Sequence, residues 1–426
     1  MLGRGRRGGG SEGGTRAGVP GGYVLRLLVL VLAGATPVRA QLDPVRRQLA
    51  QVGYNQPLEG RGPIAAYGFY YRNEPAFRRD DLTLRLALAP VYLDAELGLR
   101  DALGAGTDVG VGVAGGGFAD SYSELRGGKL RRRESFVGHG AGATLSLYRR
   151  LTSAGRIPLH GILRAGARSA FYADGRETAD DFVLPDDRAT FTLRTGLRWG
   201  GQEPLLLPEV ALEASAWYEA QLRTPGGRYG FAGDREVETA SHLLWVRALF
   251  AYTFPRSRHY CALGLSAGTS VDADRFSAHR LGAVLPLVSE FPLTLPGYYY
   301  QEISARSFAL ASALYSLPLD AARRWDVLAY GASALVDYAP GLRQPGHWNS
   351  GVGGGITYRS PSGAWLVFLG YGYGIDAIRH DERGANSVAL LLQYDFEARK
   401  RGAPSSFRPA VSPDTSRALD RALGRD

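Results

Sequence analysis

The chain has 426 residues, of which 45% are apolar and 21% charged, and this balance excludes both a disordered chain and a bundle of membrane helices. The net charge of +9 would suit nucleic acid or anionic lipid, but much of the excess lies near the two ends. Cys261 is the single cysteine, so an internal disulfide is excluded. The 57 glycines dilute helix-forming residues, and the 23 tyrosines favour strands.

The N-terminal 40 residues have the three parts of a secretory signal. Arginines are scattered through residues 1–22, an apolar stretch follows at 27–35, and "VRA" precedes Gln41. The apolar stretch is too short for a membrane helix, which needs about 20 residues. We therefore predict a signal peptide over 1–40 and no contact with nucleic acid. A periplasmic lead segment would follow at 41–63, with a small helix at 45–52 capped by Asp43.

From residue 64 the sequence alternates apolar and polar residues in runs that turn residues separate. In the run 209–221, one face is formed by Glu209, Ala211, Glu213, Ser215, Trp217, Glu219 and Gln221. In the run 363–375, aromatic and aliphatic residues share one face and glycines occupy the other. A period of two residues indicates strands, whereas a helix would show a period near 3.6.

These runs predict fourteen strands joined by alternating short and long connections. The predicted strands are 64–72, 82–99, 107–118, 136–150, 157–171, 188–199, 207–222, 236–254, 258–270, 303–317, 325–339, 349–359, 363–376 and 385–396. The predicted long connections are 119–135, 173–187, 223–235, 271–302, 340–348 and 377–384. Pro90 interrupts the second strand, and it marks either a bulge or a hairpin that would raise the count to sixteen.

Length and aromatic placement favour a transmembrane barrel over a soluble β-sandwich. Sandwich strands are usually five or six residues long, and these runs are longer. Aromatic residues also collect near strand ends, as an interfacial girdle requires. The sequence therefore predicts an all-β chain, an antiparallel transmembrane β-barrel of 14 or 16 strands over 64–396. Together with the signal, this places the protein in the bacterial outer membrane, in contact with its lipid.

If the apolar faces meet lipid, the polar faces line the interior. The interior charges predicted on three consecutive strands are Arg164, Arg168, Arg194, Arg198, Glu209, Glu213 and Glu219. Opposite charges on neighbouring strands can form salt bridges that stiffen the wall. They can also line a charged passage for solute or polypeptide. The sequence leaves both interpretations open.

The last strand resembles the signal that outer-membrane assembly machinery recognises. Its outward face ends in Tyr394 and Phe396, so we expect that machinery to be a partner during insertion. The Pro-, Ser- and Arg-rich residues 397–426 are expected to form a loosely ordered periplasmic tail.

The sequence offers little support for an enzyme. None of the seven histidines has a serine two residues on, the spacing that a barrel lipid hydrolase could use on one strand face. The six acids of 173–187 could hold a divalent cation, but a solvated outer loop explains them without one. The basic stretch 126–134 could contact lipopolysaccharide phosphates. We therefore predict no catalytic site, no metal and no cofactor.

The segment from His279 to Leu319 resembles the bacterial surface antigen superfamily of outer-membrane barrels, which insert other barrels or secrete polypeptides. The elements that carry the likeness are "HRLGA", "LPGYYYQE" and a strand that ends in "YSLPL". The residues that match the family's loop motif, or flank it, are Leu281, Gly282, Pro296, Gly297, Tyr298 and Glu302. The resemblance covers about 120 residues and implies that this long loop folds back into the barrel.

Two departures from the family pattern stand out. Pro296 replaces the arginine of the family's loop tip, and Arg306 is a conceivable substitute. The periplasmic polypeptide-binding domains that usually precede the family's barrel are not seen in this sequence. The resemblance implies transport or assembly of polypeptide across or into the outer membrane, with unknown cargo. A porin-like passive channel is the alternative, and a barrel lipid hydrolase is the weakest hypothesis.

Overall fold

A computed structural model describes residues 46–63, 65–152, 157–201, 210–254, 256–283 and 291–401. Within these ranges, sixteen long strands form the wall of one antiparallel sheet. They are β1 (Arg47–Pro57), β2 (Ala65–Pro75), β3 (Leu82–Ala89), β4 (Tyr92–Leu99), β5 (Thr107–Gly116), β6 (Phe136–Arg150), β7 (Leu159–Asp174), β8 (Arg188–Gly201), β9 (Val210–Thr224), β10 (Ala240–Thr253), β11 (Tyr260–Val271), β12 (Ile303–Pro318), β13 (Trp325–Tyr338), β14 (Trp348–Arg359), β15 (Trp365–Arg379) and β16 (Glu382–Asp395).

The sheet closes on itself. Strand β1 pairs with β2 on one side and with β16 on the other, from Leu49 opposite Asp395 to Pro57 opposite Ser387. Closure removes the open edges that a flat sheet would expose to lipid. With an even number of strands, the ends of the chain's described part lie at one end of the barrel, the periplasmic end in bacterial barrels. The longer connections lie at the opposite, extracellular end.

The two faces of the wall differ in polarity. On β15, Trp365, Leu369 and Ile375 point outward and are exposed, whereas Leu366 and Phe368 point inward and are buried. The same alternation places large apolar side chains on the outside of most strands, as contact with hydrocarbon requires. In the described part of the chain, no helix is long and apolar enough to cross a membrane.

Most of the predicted strands are confirmed within a few residues, and the count of sixteen has two sources. The predicted strand 82–99 is a hairpin, β3 and β4, which turns at Pro90 and Val91 because proline cannot donate to a ladder. The predicted lead segment 41–63 contains β1, so the predicted helix at 45–52 is wrong over its described residues. Pairing on both sides of β1 outweighs the local capping signal.

The short strand His279–Leu281 extends the wall sheet by pairing with the start of β12. The other short elements lie outside the wall, and they are the strands Leu125–Arg126, Lys129–Leu130, Phe182–Val183, Gly227–Phe231 and Arg235–Val237, and the 3-10 turn Arg132–Glu134. The predicted long connection 377–384 is instead a tight turn between β15 and β16. Its central residues His380 and Asp381 both have positive φ, the geometry that matches the twist of a two-residue hairpin.

The final strand ends one residue earlier than predicted. Asp395 closes β16, and its carboxylate accepts the backbone N–H groups of Glu397 and Ala398 at 2.8 and 3.1 Å. This is a helix N-cap, and the short helix α1 (Phe396–Arg401) follows. The predicted signal peptide and residues 402–426 of the predicted tail lie outside the described residues.

Candidate functional site

The charges predicted for the interior occupy inward-facing positions of β7, β8 and β9, except that Glu209 lies outside the described residues. Arg194 stands opposite Glu219 in the ladder, and its Nε lies 2.6 Å from the Glu219 carboxylate. On β7, Arg164 donates to Ser146 and Tyr148 of the adjacent strand at 3.2 and 3.0 Å. These bonds join neighbouring strands through their inner faces.

The other interior charges have partners of different kinds. Arg168 reaches Asp120 of the outer loop 117–135 at 2.7 Å. The Arg198 guanidinium lies 5.1 Å from the Trp217 ring centroid, and Glu213 accepts a hydrogen bond from Ser215 at 3.0 Å. In the described part of the chain, these carboxylates and guanidinium groups mostly contact the wall itself.

The long connection between β11 and β12 folds on itself as a hairpin at its base. Leu281 pairs with Ile303 at the start of β12. The backbone N–H of Gly282 donates to Leu293 at 2.9 Å, and that of Leu295 donates to Ala283 at 2.9 Å. Leu281 and Leu295 are fully buried and share a cluster with Tyr298 and Ile303. Residues 284–290, between the two arms, lie outside the described residues.

One arm of this loop contacts the middle of the wall. Trp217 of β9 and Trp245 of β10 face each other inside the barrel, with stacked rings 6.2 Å apart. The ring of Phe291 lies edge-on to both, at 5.3 and 5.6 Å. Both tryptophans lie near the centres of their strands, so Phe291 lies well below the extracellular rim.

The Pro296–Tyr298 segment packs against the interior of β14 and β15 at positions without side chains. An added Cβ on Gly297, whose φ is +81°, would lie 1.9 Å from the backbone nitrogen of Gly374. An added Cβ on Gly351 would lie 2.2 Å from the carbonyl oxygen of Pro296. Glycine is therefore required on both sides of this contact. Tyr298 completes it by donating to the Asn349 side chain at 3.4 Å.

A buried ion pair fixes the end of the loop to the wall. Arg379, the last residue of β15, donates to both carboxylate oxygens of Glu302 at 2.8 Å. Both side chains are at most 2% exposed. The guanidinium also lies 3.5 Å from the Tyr299 ring centroid and donates to the carbonyl of Gly297 at 3.3 Å. Arg379 thus contacts the loop tip around Gly297, and it does so from the barrel wall. The family pattern had instead led us to expect an arginine on the loop itself.

Arg306 does not substitute for the missing tip arginine. Its side chain is about half exposed at the outer surface and pairs with Asp337 of β13 at 2.5 Å. The conjecture from the sequence is therefore wrong, because Arg306 lies on β12 beyond the loop and reaches the neighbouring strand. Arg379 was missed because the residues 377–384 were predicted to form a loop.

The outer loops meet above the barrel around a fully buried carboxylate, Glu124. It accepts hydrogen bonds from Tyr122 at 2.8 Å and from Arg275 at 3.1 Å. Arg126 and Arg235 lie 3.3 and 3.6 Å from it. Burial alone would lower the pKa of Arg275, but the Glu124 carboxylate outweighs that effect and the pKa is raised. Arg275 belongs to the long connection, so this network ties that loop to the others.

An aromatic cluster packs beneath this network. Its buried members come from three outer connections and the start of β6, and they are Tyr122, Phe136, Ala179, Phe182, Tyr229 and Val237. Phe276 of the long connection packs against the cluster. Burial raises the pKa of the Tyr229 phenol, as it does for Tyr298 in the loop. We name the cluster and the Glu124 network together the outer cap.

The predicted assembly residues lie at the periplasmic end. Tyr394 points outward from β16, and its ring lies 4.6 Å from that of Trp365. Phe396 is the first residue of α1, and its ring lies 4.7 Å from Tyr394. Among the described residues, no group of three or more histidine, cysteine or acidic side chains is arranged to hold a metal ion.

Neither a protein-family model nor a curated protein matches the sequence. Solved structures do match. CdiB from Escherichia coli has a TM-score of 0.54 at 13% identity, covering 83% of this chain and 63% of that one. CdiB from Acinetobacter baumannii has a TM-score of 0.51 at 12% identity, covering 82% of this chain and 60% of that one. BamA from Haemophilus ducreyi lacking POTRA domains 1–3 has a TM-score of 0.51 at 12% identity, and the match covers 81% of this chain and 70% of that one.

This chain thus spans less than two thirds of either CdiB structure. At these identities the likeness concerns the fold. It agrees with the closed sixteen-strand sheet and with the apolar outer face. The chain therefore has the fold of the outer-membrane β-barrels CdiB and BamA.

Proposed function

We propose that this protein moves or inserts polypeptide at the bacterial outer membrane, without a catalytic site, and that residues 291–302 of the long connection occupy the lumen as a plug. The observation that carries the proposal is the pair of contacts that this loop makes inside the wall. Phe291 packs on Trp217 and Trp245, and Glu302 is paired with Arg379.

The plug accounts for the aromatic composition of the loop. Exposed to water, its tyrosines would form a large apolar patch. Inside a barrel, their rings pack while their hydroxyls find acceptors, as Tyr298 does on Asn349 and Tyr299 does on the carbonyl of Glu59. A plug held by a few discrete contacts can also leave the lumen, as passage of a polypeptide requires.

The alternative is a porin-like channel with a permanently open, charged lumen. Liposome swelling separates the two in proteoliposomes that contain the purified chain. We expect the unaltered protein to admit small sugars slowly and the deletion of 284–302 to admit them rapidly. Equal swelling rates would refute the plug and favour the passive channel.

A matched variant tests whether the plug depends on its attachment. Replacing 284–292 with a Gly-Gly-Ser linker removes Phe291 but keeps Glu302 and Arg379. We expect swelling between the rates of the other two proteins. Transport is tested separately in the same liposomes. An unfolded fluorescent polypeptide is added outside, and the fraction that has been moved into the lumen should then be protected from external protease.

A further inference from the structure

The wall of the barrel is uneven in height. Strands β3 and β4 have eight residues each, whereas β6 to β10 have fourteen to sixteen. The hairpin turns at Pro90 and Val91, and the Val91 side chain is half exposed. β5 ends level with this turn, whereas β2 and β6 continue upward beyond it.

The upper part of β2 therefore has a neighbour on one side only. β2 pairs with β1 from Ala65 to Asn73, but with β3 only from Tyr70 to Pro75. Residues 65–69 face no strand on the β3 side, and among the described residues no loop backbone bonds to them. We name residues 65–69 the open edge.

The short β3–β4 hairpin and β5 leave a gap between the upper parts of β2 and β6. On the β6 side, this gap is covered. Above the end of β5, the outer loop lies along β6, where the backbone N–H of Asp120 donates to the carbonyl of Gly138 at 3.1 Å. Tyr122 and Phe136 exchange both backbone hydrogen bonds, at 3.0 and 3.1 Å. The loop thus takes the place of a strand beside β6, and nothing equivalent is described beside β2.

The ladder register gives the depth of the open edge. One register line joins Trp365 at the periplasmic end of β15 to Leu88 near the top of β3, through Tyr394, Ala50 and Tyr70. Each step rises by about 3 Å, because strands about 4.8 Å apart are tilted by about 40°. Leu88 then lies about 12 Å above Trp365, within an apolar band about 25 Å tall.

The lower part of the open edge thus lies at the depth of the outer leaflet. Unpaired backbone groups are costly there because acyl chains offer no hydrogen bonds. An extended polypeptide offers a complete ladder of donors and acceptors. The neighbouring side chains suit such a strand, since Ala66 and Gly68 on the lipid side are small. Tyr67 and Phe69 present rings 5.9 Å apart on the inner side.

We propose that the open edge binds an extended segment of a second polypeptide by strand addition, at a place in the wall separate from the seam between β1 and β16. The inference rests on the proposed function only for the nature of the occupant, a polypeptide in transit. The open edge itself follows from the pairing of β2.

Disulfide trapping tests this proposal with the full chain in lipid nanodiscs. Cys261→Ser provides the background, and Ala66→Cys places a thiol on the open edge. Tyr54→Cys is the matched control, because Tyr54 stands opposite Ala66 on a strand that is paired on both sides. The probe is a nine-residue peptide of alternating valine and threonine with a central cysteine, oxidised with copper phenanthroline. We expect about tenfold more trapping at position 66 than at position 54.

A second variant covers the edge without removing a contact. Four residues are added to each strand of the β3–β4 hairpin, so that the longer hairpin pairs with 65–69. We expect trapping at position 66 to fall to the control level. Equal trapping at the two positions, or trapping that persists with the longer hairpin, would overturn the inference. Since the plug is untouched in these variants, the swelling experiment decides the proposed function independently.

Discussion

Replacing Arg379 with methionine should release the loop from the wall. Methionine keeps most of the side-chain volume but leaves the Glu302 carboxylate buried without its bidentate partner. Removing one member of a buried ion pair typically costs about 3–5 kcal/mol, far more than the net value of the intact pair. Contacts with the Tyr299 ring and the Gly297 carbonyl are lost as well.

The cost should appear as loop opening, because the backbone pairing of β15 with β16 does not use the Arg379 side chain. A change of about 3 kcal/mol raises the population of the released loop by about two orders of magnitude. Amide hydrogen exchange measures that population directly. The N–H of Tyr299 donates to Glu302 at 2.7 Å, so peptides that contain it should exchange about 100-fold faster in the variant.

Two controls make this experiment decisive. Arg383→Met removes a nearby, largely exposed arginine that pairs with Asp376 at 3.0 Å, and it should change exchange little. The double variant Arg379→Met with Glu302→Gln removes both charges but keeps a side-chain oxygen that can accept the N–H of Tyr299, so it should recover much of the protection. Unchanged exchange in Arg379→Met would refute the view that this pair holds the loop.

Three further predictions concern the loop and the outer cap. Phe291→Ala should loosen the loop by about 2 kcal/mol and expose Trp217 and Trp245, which acrylamide quenching of tryptophan fluorescence would report; unchanged quenching would contradict the contact. Glu124→Gln removes the charge that the surrounding guanidinium groups share, so trypsin should cut the outer loops at least several-fold faster, and equal cutting rates would argue against the network. Burial raises the pKa of Tyr298, so the stability that its neutral form contributes is complete below about pH 10 and is lost as the pH rises further. Acrylamide quenching of tryptophan fluorescence should therefore increase above about pH 10 in the unaltered protein, and this increase should be smaller in Tyr298→Phe.

The sequence predicted the wall well because one rule governs it. Hydrocarbon outside and polar groups inside impose a period of two on every long strand, as in β9 and β15. The rule fails where the signal is weak. In β1, polar residues such as Gln56 lie on the outer face, and the capping signal of Asp43 favoured a helix.

The candidate site was only partly accessible from sequence. The loop motif pointed to Gly297 and Tyr298, but its partner Arg379 lies 77 residues after Glu302 and in a segment that was predicted to be a loop. Pairing across such a distance depends on strand register, which turn geometry fixes. The turn residues His380 and Asp381 were the sequence signal that could have located Arg379. A two-residue turn at these positions shortens the predicted loop 377–384 and extends β15 to Arg379.

The join between the first and last strands has a consequence for biogenesis. Gln51 bonds to Gln393 across 342 positions of the chain, at 3.1 Å. Contacts so remote in sequence form late, because the entropy of closing the intervening segment must be overcome first. The cylinder can therefore be completed only after nearly the entire polypeptide has been exported. Until then, the edge of β1 that pairs with β16 remains without a partner strand. Protection of that edge by periplasmic chaperones would govern the yield of mature protein.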